Sequence, residues 1–218
     1  VMSARTKVEL EPNYSFVTAR ILLDELRSEA LTFLDIAEES SHPEMKDYYP
    51  TAFHAYIDKG IELEMLDPKL KDFDLKKLGE AIEHNRDYQF TYLGLQTLYD
   101  RYFIHYQDTR YELPQIFFMR VAMGLSMEED NKEERAIEFY KLLSSFDYMS
   151  STPTLFNSGT LRPQLSSCYL TTIPDDLDGI FGAMKDNALL SKWAGGLGND
   201  WSPVRALGSY IKGCLLYT

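Results

Sequence analysis

The sequence predicts a mainly α N-terminal region followed by the start of an α/β domain. Three observations carry that reading. Apolar residues recur at helical spacing from Ser15 to Phe146; the texture turns polar and loop-like at Met149; a β-branched run, a helical run and a Gly-rich run then follow in that order. Strand, helix and glycines in succession suggest the opening of a domain built on parallel strands. The expected division is 1–148 as a helical domain, 149–213 as the beginning of the α/β part and 214–218 as a divergent tail. One strand with one or two helices cannot make a sheet, so the α/β part reads as truncated.

The elements follow in order. In "SFVTARILLDELRSEALTFLDIAE", Ser15 to Glu38, residues Leu22, Leu26, Ala30 and Phe33 share one helical face. A second helix is expected after Pro50, with Phe53, Ile57 and Ile61 aligned. Asp74 is a candidate N-cap for a short helix that turns Leu75, Leu78 and Ile82 inward. "YQFTYLGLQTLYDRYFI" reads as an aromatic-rich helix, and "HYQDTRYE", with turn residues Asp108 and Thr109, as a small hairpin. Pro114 suits the first turn of the next helix, where its missing N–H is not needed. "NKEERAIEFYKLLSSF" adds one more helix. Residues 149–167 read as loop, "SCYLTTI" as strand and Leu177 to Trp193 as helix.

Composition narrows the function classes. A 44% hydrophobic and 26% charged chain is an ordinary globular one. No apolar run approaches the roughly 18 residues of a bilayer span, and "VMSARTKVELEPN" has no signal-peptide core, so a cytoplasmic location with no membrane partner is expected. A net charge of −12 argues against non-specific nucleic-acid binding, which needs clustered Lys and Arg. A nucleotide as a small ligand stays open, because backbone N–H groups hold phosphates on acidic proteins too. Cys168 and Cys214 make no disulfide framework. The histidines are scattered, and His54 with Asp58 at i+4 has no further ligand in pattern, so no metal site is expected.

Cys168 is the first candidate site. A lone cysteine on a strand is ordinarily a small buried hydrophobe. Here Ser166 and Ser167 precede it, and Thr152 lies in a "TPT" loop that could fold back beside it, which suits an accessible redox thiol. Both readings stay open. "AGGLGND", Ala194 to Asp200, follows a helix, so it fits neither a P-loop nor a dinucleotide fingerprint. It reads either as a helix C-cap and turn or as backbone left bare for a ligand. "PDDLDGI" opens a helix, so Asp175 or Asp176 is an N-cap and the other is free for a sugar hydroxyl pair. Arg205 and Lys212 could meet phosphates, or be ordinary solvated charges.

Taken together, "NYSFVTARILL", "FTYLGLQTLYDRYF", "SSFDYMSSTPTLFNSGT", "QLSSCYL" and "KWAGGLGNDWSPVRALGSYIKG" resemble the large (α, catalytic) subunit of class I ribonucleotide reductase over residues 13 to 213. The resemblance implies the first part of that family's ten-stranded α/β barrel. It also implies reduction of ribonucleoside diphosphates by thiyl-radical chemistry, for deoxyribonucleotide biosynthesis and DNA replication. By match, Cys168 resembles one member of the reducing cysteine pair, and Thr152, Ser167, Ala194 and Gly195 resemble residues lining the ribose and diphosphate pocket. Asp175, Asp176 and Leu177 match the segment holding the sugar of an allosteric dNTP or ATP effector; Arg205, Ile211 and Lys212 match the segment that takes its phosphates.

The implied partners are a second α subunit, contacted through the helix from Leu177, and a small β subunit whose metal centre supplies the radical. Thioredoxin or glutaredoxin would serve as reductant through a C-terminal part. No cofactor is expected on this chain itself. The family's radical cysteine, the second cysteine of the pair and the shuttle cysteines match nothing here, so a fragment inactive alone is expected. An alternative is a non-catalytic split or decayed piece that binds nucleotide or dimerises. The match stops at Cys214, and "CLLYT" fits either the scar of a truncation or frameshift or an intein whose first cysteine attacks its preceding carbonyl.

Overall fold

The structure is a computed structural model and describes residues 1–193 and 195–210. The chain divides into two compact units, Val1–Pro163 and the part from Gln164 onward. In the first unit the order is α1 (Met2–Arg5), α2 (Tyr14–Phe33), α3 (Met45–Glu62), α4 (Leu75–Glu80), α5 (Tyr92–Arg101), a hairpin of β1 (His105–Tyr106) and β2 (Thr109–Arg110), then α6 (Pro114–Ser126), α7 (Lys132–Ser144) and α8 (Thr152–Asn157). Short 3-10 helices occupy Pro68–Asp72 and His84–Gln89.

Helix α6 is the centre of this unit. Every residue from Pro114 to Met123 is buried, and a helix buried on all sides lies inside a core. Leu22, Leu26 and Ala30 of α2 and Phe53 and Ile57 of α3 are buried as their spacing predicts, whereas Phe33 is only half-buried. Pro114 occupies the first turn of α6, and Asp74 accepts a hydrogen bond from the Lys77 N–H at 3.0 Å, capping α4.

Several expectations are corrected. Helix α2 stops at Phe33 because Asp35 takes a left-handed φ of 55° and the Ile36 N–H closes back on the Leu31 carbonyl, a Schellman ending. Helix α3 starts at Met45 and contains Pro50. Burying Met45 and Tyr49 on the face continued by Phe53, Tyr56 and Ile57 offsets an interior proline, which costs about 3 kcal/mol. The stretch 149–167 holds the short helix α8, and the hairpin turns at Gln107 and Asp108, with Thr109 already in β2. Phe146, just past α7, has φ 64°, uncommon for so large a side chain, and its ring packs edge-on against Phe90 and Phe118.

Two buried polar centres organise the unit. Glu112 and Arg120, both fully buried, pair at 2.6 Å. The Tyr56 hydroxyl donates to Glu112 at 2.5 Å and the Ile104 N–H at 2.9 Å. Arg120 donates to the carbonyls of Ser158 (2.7 Å) and Leu155 (3.2 Å). In the second centre, Arg27, Tyr49 and Gln115 all donate to Asp87, and Tyr140 donates to Gln115. Burial and the adjacent carboxylates push the Tyr49 and Tyr56 hydroxyls well above their usual range, so both stay protonated donors.

The first centre explains where the units divide. The sequence texture changes near 147–150, but residues 152–161 belong with the helices. Ser158 Oγ also donates to the Val121 carbonyl, and the Asp67 N–H to Gly159 O. Gly124 permits this approach, since a Cβ there would collide with Gly159 N and Ser158 Oγ.

From Gln164 onward the elements are β3 (Cys168–Thr172), α9 (Leu177–Lys192) and β4 (Gly196–Asp200). The two strands pair in parallel, with Cys168 opposite Gly196 and Thr172 opposite Asp200. The Gly-rich run is therefore a strand from Gly196 onward, where a turn or bare loop was expected. The Gly196 N–H donates to Ser167 O and the Ile173 N–H to Asp200 O, each at 2.9 Å, closing the ladder at both ends. Among the described residues no helix is long and apolar enough to cross a membrane.

Replacing Glu112 by Gln leaves Arg120 buried without its counter-charge. The expected loss is about 3–5 kcal/mol of first-unit stability, read as a lower urea midpoint; a loss under about 1 kcal/mol would contradict the role assigned to the pair.

Candidate functional site

Alternation along β3 sorts its side chains. Cys168, Leu170 and Thr172 are exposed, Tyr169 and Thr171 are half-buried and Ile173 is fully buried. The second set faces α9, for Thr171 Oγ1 donates to Asn187 Oδ1 of that helix at 3.2 Å. Cys168 is a free, exposed thiol on the opposite face. Across the ladder, β4 shows it only glycine: Sγ lies 3.3 Å from the place a Cβ would occupy on Gly196, and a Cβ on Gly198 would come within 2.8 Å of Leu170. The thiol thus stands over bare backbone, a position from which small molecules reach sulfur directly.

Ser167 is exposed, and its carbonyl is taken by the Gly196 N–H. Gly195 lies on the α9 side, where a Cβ would strike the Tyr169 ring. Gly196, not singled out from the sequence, is the residue that meets Cys168. The signal was present as glycines two apart at 196 and 198, which bares one face of a strand, but their register against β3 was not readable. Thr152 belongs to the first unit, where it opens α8 with Oγ1 3.1 Å from the Tyr102 hydroxyl. Ala194, Ile211, Lys212 and Cys214 lie outside the described residues.

The acidic turn before α9 divides its work between two carboxylates. Asp176 caps the helix, accepting from the Gly179 N–H at 2.8 Å. Leu177 opens α9 and is exposed. Asp175 is bound to Arg205, whose Nε donates to Oδ2 at 2.8 Å and whose backbone N–H donates to Oδ1 at 3.2 Å. That N–H, aided by the guanidinium, holds the Asp175 carboxyl below the ordinary aspartate range despite an opposing contribution from burial. The two residues proposed from the sequence for sugar and phosphate thus occupy one another. Among the described residues no three His, Cys, Asp or Glu side chains converge as a metal site.

Residues 88–163 match a family model described as "Ribonucleotide reductase, all-alpha domain", and residues 166–215 one described as "Ribonucleotide reductase, barrel domain". The chain is 50% identical over 214 residues to the ribonucleoside-diphosphate reductase subunit alpha of Chlamydia muridarum, covering 98% of this chain and 20% of that one. It is 41% identical over 215 residues to the subunit alpha of Helicobacter pylori, covering 98% and 26%. With the large chain of Schizosaccharomyces pombe the figures are 36% over 215 residues, 97% and 25%. The chain therefore spans about a fifth to a quarter of the length of these curated relatives.

Two expectations follow from the geometry. With Cys214→Ser leaving one thiol, iodoacetamide should label Cys168 in the folded chain, and Gly196→Leu should slow labelling severalfold; equal rates would place the sulfur elsewhere. Because the Asp175 carboxyl titrates below the ordinary aspartate range, its contact with Arg205 is intact through that range and is lost only as pH falls through the lowered value. The Arg205 Nε–H resonance should therefore persist at about pH 5; its loss there would refute the pairing.

Proposed function

Because the chain belongs to the family of ribonucleotide reductase large subunits, we propose that it forms part of a ribonucleoside-diphosphate reductase in which Cys168 reduces the substrate ribose. The observation that carries this reading is the exposed Cys168 sulfur standing over Gly196 at the head of β3. A thiol that reduces a ribose carbon has to approach it within contact distance, and bare backbone opposite the sulfur leaves that room.

In the proposed reaction a thiyl radical takes the 3′ hydrogen. Cys168 and a second thiol, from a part of the reductase outside this chain, then close to a disulfide as the 2′ hydroxyl departs as water, one thiol hydrogen going to that water and the other to C2′, after which the abstracted hydrogen returns to C3′ and the thiyl radical is restored. The chain's own contribution is to present one sulfur and to line the pocket beside it with Ser167, Ala194 and Gly195, to which Gly196 is added. A separate small subunit with a metal centre supplies the radical, and thioredoxin or glutaredoxin restores the thiols. The setting is cytoplasmic deoxynucleotide synthesis for DNA replication.

The turn before α9 is proposed to take a dNTP or ATP effector, with Asp175, Asp176 and Leu177 toward the sugar and Arg205, Ile211 and Lys212 toward the phosphates. The donor set fits a nucleotide on one condition. Arg205 is already paired and one Asp176 oxygen already caps α9, so the effector exchanges partners with Asp175. Exposed Phe181, Met184 and Leu189 on α9 support a second α subunit as the neighbour on that helix.

The test is reconstitution. Joined to the remaining three-quarters of a relative's α subunit and supplied with its small subunit, this chain should support diphosphate reduction, while the chain alone should not. Cys168→Ser should lower turnover on the order of 1,000-fold or more. Full turnover by that variant would sink the proposal.

A further inference from the structure

Strands β3 and β4 have five residues each, and among the described residues only Ile173, at the end of β3, is fully buried beside them. Register is strongly specified where one face of a strand is sealed in a core, and weakly specified in Gly-rich, exposed strands. Sliding β4 by two residues would keep every face and set Cys168 opposite Gly198 in place of Gly196. At Cys168 itself the two arrangements are alike, since both partners are glycine.

Asn187 tells them apart. Its side chain projects from the middle of α9 and reaches both strands at one level: Oδ1 accepts from Thr171 Oγ1 at 3.2 Å, and Nδ2 donates to Asn199 Oδ1 at 2.7 Å. Thr171 and Asn199 are register partners. A two-residue slip would set Leu197 or Trp201 opposite Thr171, and neither offers the acceptor that Nδ2 needs. A one-residue slip would bring Gly198 or Asp200 to that level and turn the strand over. One amide thus joins helix, first strand and second strand in a single arrangement.

We propose that Asn187 is a positioning residue that fixes the β3–β4 register and so keeps the Cys168 sulfur over Gly196. Its importance to ribose reduction rests on the proposed function; the register claim does not. Thr171 and Asn199 act with it, and all three lie on the α9 side of the sheet, away from the thiol. Asn187 therefore acts on Cys168 through the ladder and not by touching it.

The experiment uses the full 218-residue chain carrying Cys214→Ser, with amide hydrogen exchange and Cys168 alkylation as readouts. Asn187→Leu keeps the bulk and deletes both bonds. The Gly196 and Ile173 amides, which close the two ends of the ladder, should exchange about tenfold faster, and the alkylation rate should change with them. Amides in the middle of α9 should keep their protection. Asn187→Asp, which still accepts from Thr171 and can accept from a turned Asn199 amide, should restore both readouts. Should Asn187→Leu fail to fold, Thr171→Val and Asn199→Ala should each give the same local acceleration, and together no more than either alone. Unchanged strand exchange, a uniform loss across α9 and both strands, or no rescue by Asn187→Asp would each overturn the proposal. If instead the strand amides respond as stated but Cys168→Ser keeps full turnover in the reconstituted enzyme, the register lock stands and the reductase role of the thiol falls.

Discussion

The fully buried pair of Glu112 and Arg120 is the constraint on which the first unit depends. Taking two charges out of water is costly, and their attraction compensates only when the remaining donors and acceptors are satisfied. Here they are. Glu112 gathers the Tyr56 hydroxyl from α3 and the Ile104 N–H from the start of the hairpin, while Arg120 spends its other donors on carbonyls of residues 155–158. One ion pair thereby joins α3, the hairpin, α6 and α8. An apolar replacement could fill the same volume, but it could not tell residue 158 where to stop. The Asp87 centre does similar work between α2, α3, α6 and α7, through Arg27, Tyr49, Gln115 and Tyr140.

These polar centres mark the limit of what the sequence discloses. Helices α2, α5, α6 and α7 were legible because their apolar residues repeat every three to four positions, and Pro114 and Asp74 punctuate as their chemistry requires. Nothing in "RYELPQIFFMR" separates Glu112 and Arg120 from solvated charges, since the partners that neutralise them arrive through tertiary folding. The same holds for α3, whose start at Met45 defies Pro50 because buried side chains outweigh a local preference, and for α8, whose six residues are too short to show a period.

In the candidate site, the strand at Cys168, the capping aspartate and the helix after it could be read directly. The second strand could not, because Gly196–Asp200 has no β-branched residue and owes its form to hydrogen bonds with β3. Nor could the contact of Asp175 with Arg205, thirty residues apart in the chain. The second unit depends on backbone ladder and polar bridges more than on a sealed interior: among its described residues Ile173 and Ala183 are the buried apolar ones, while Leu170, Leu177, Phe181 and Leu207 stand largely exposed.

The glycines of β4 give the outer face of this strand pair a step. On the β3 side the surface is raised by the Cys168 and Leu170 side chains, whereas beside them Gly196 and Gly198 drop it to the level of the peptide planes. A flat molecule laid across the pair would rest one edge against sulfur and its underside on amide groups, tilted by the difference in height. Any side chain added on the low side would level that ledge.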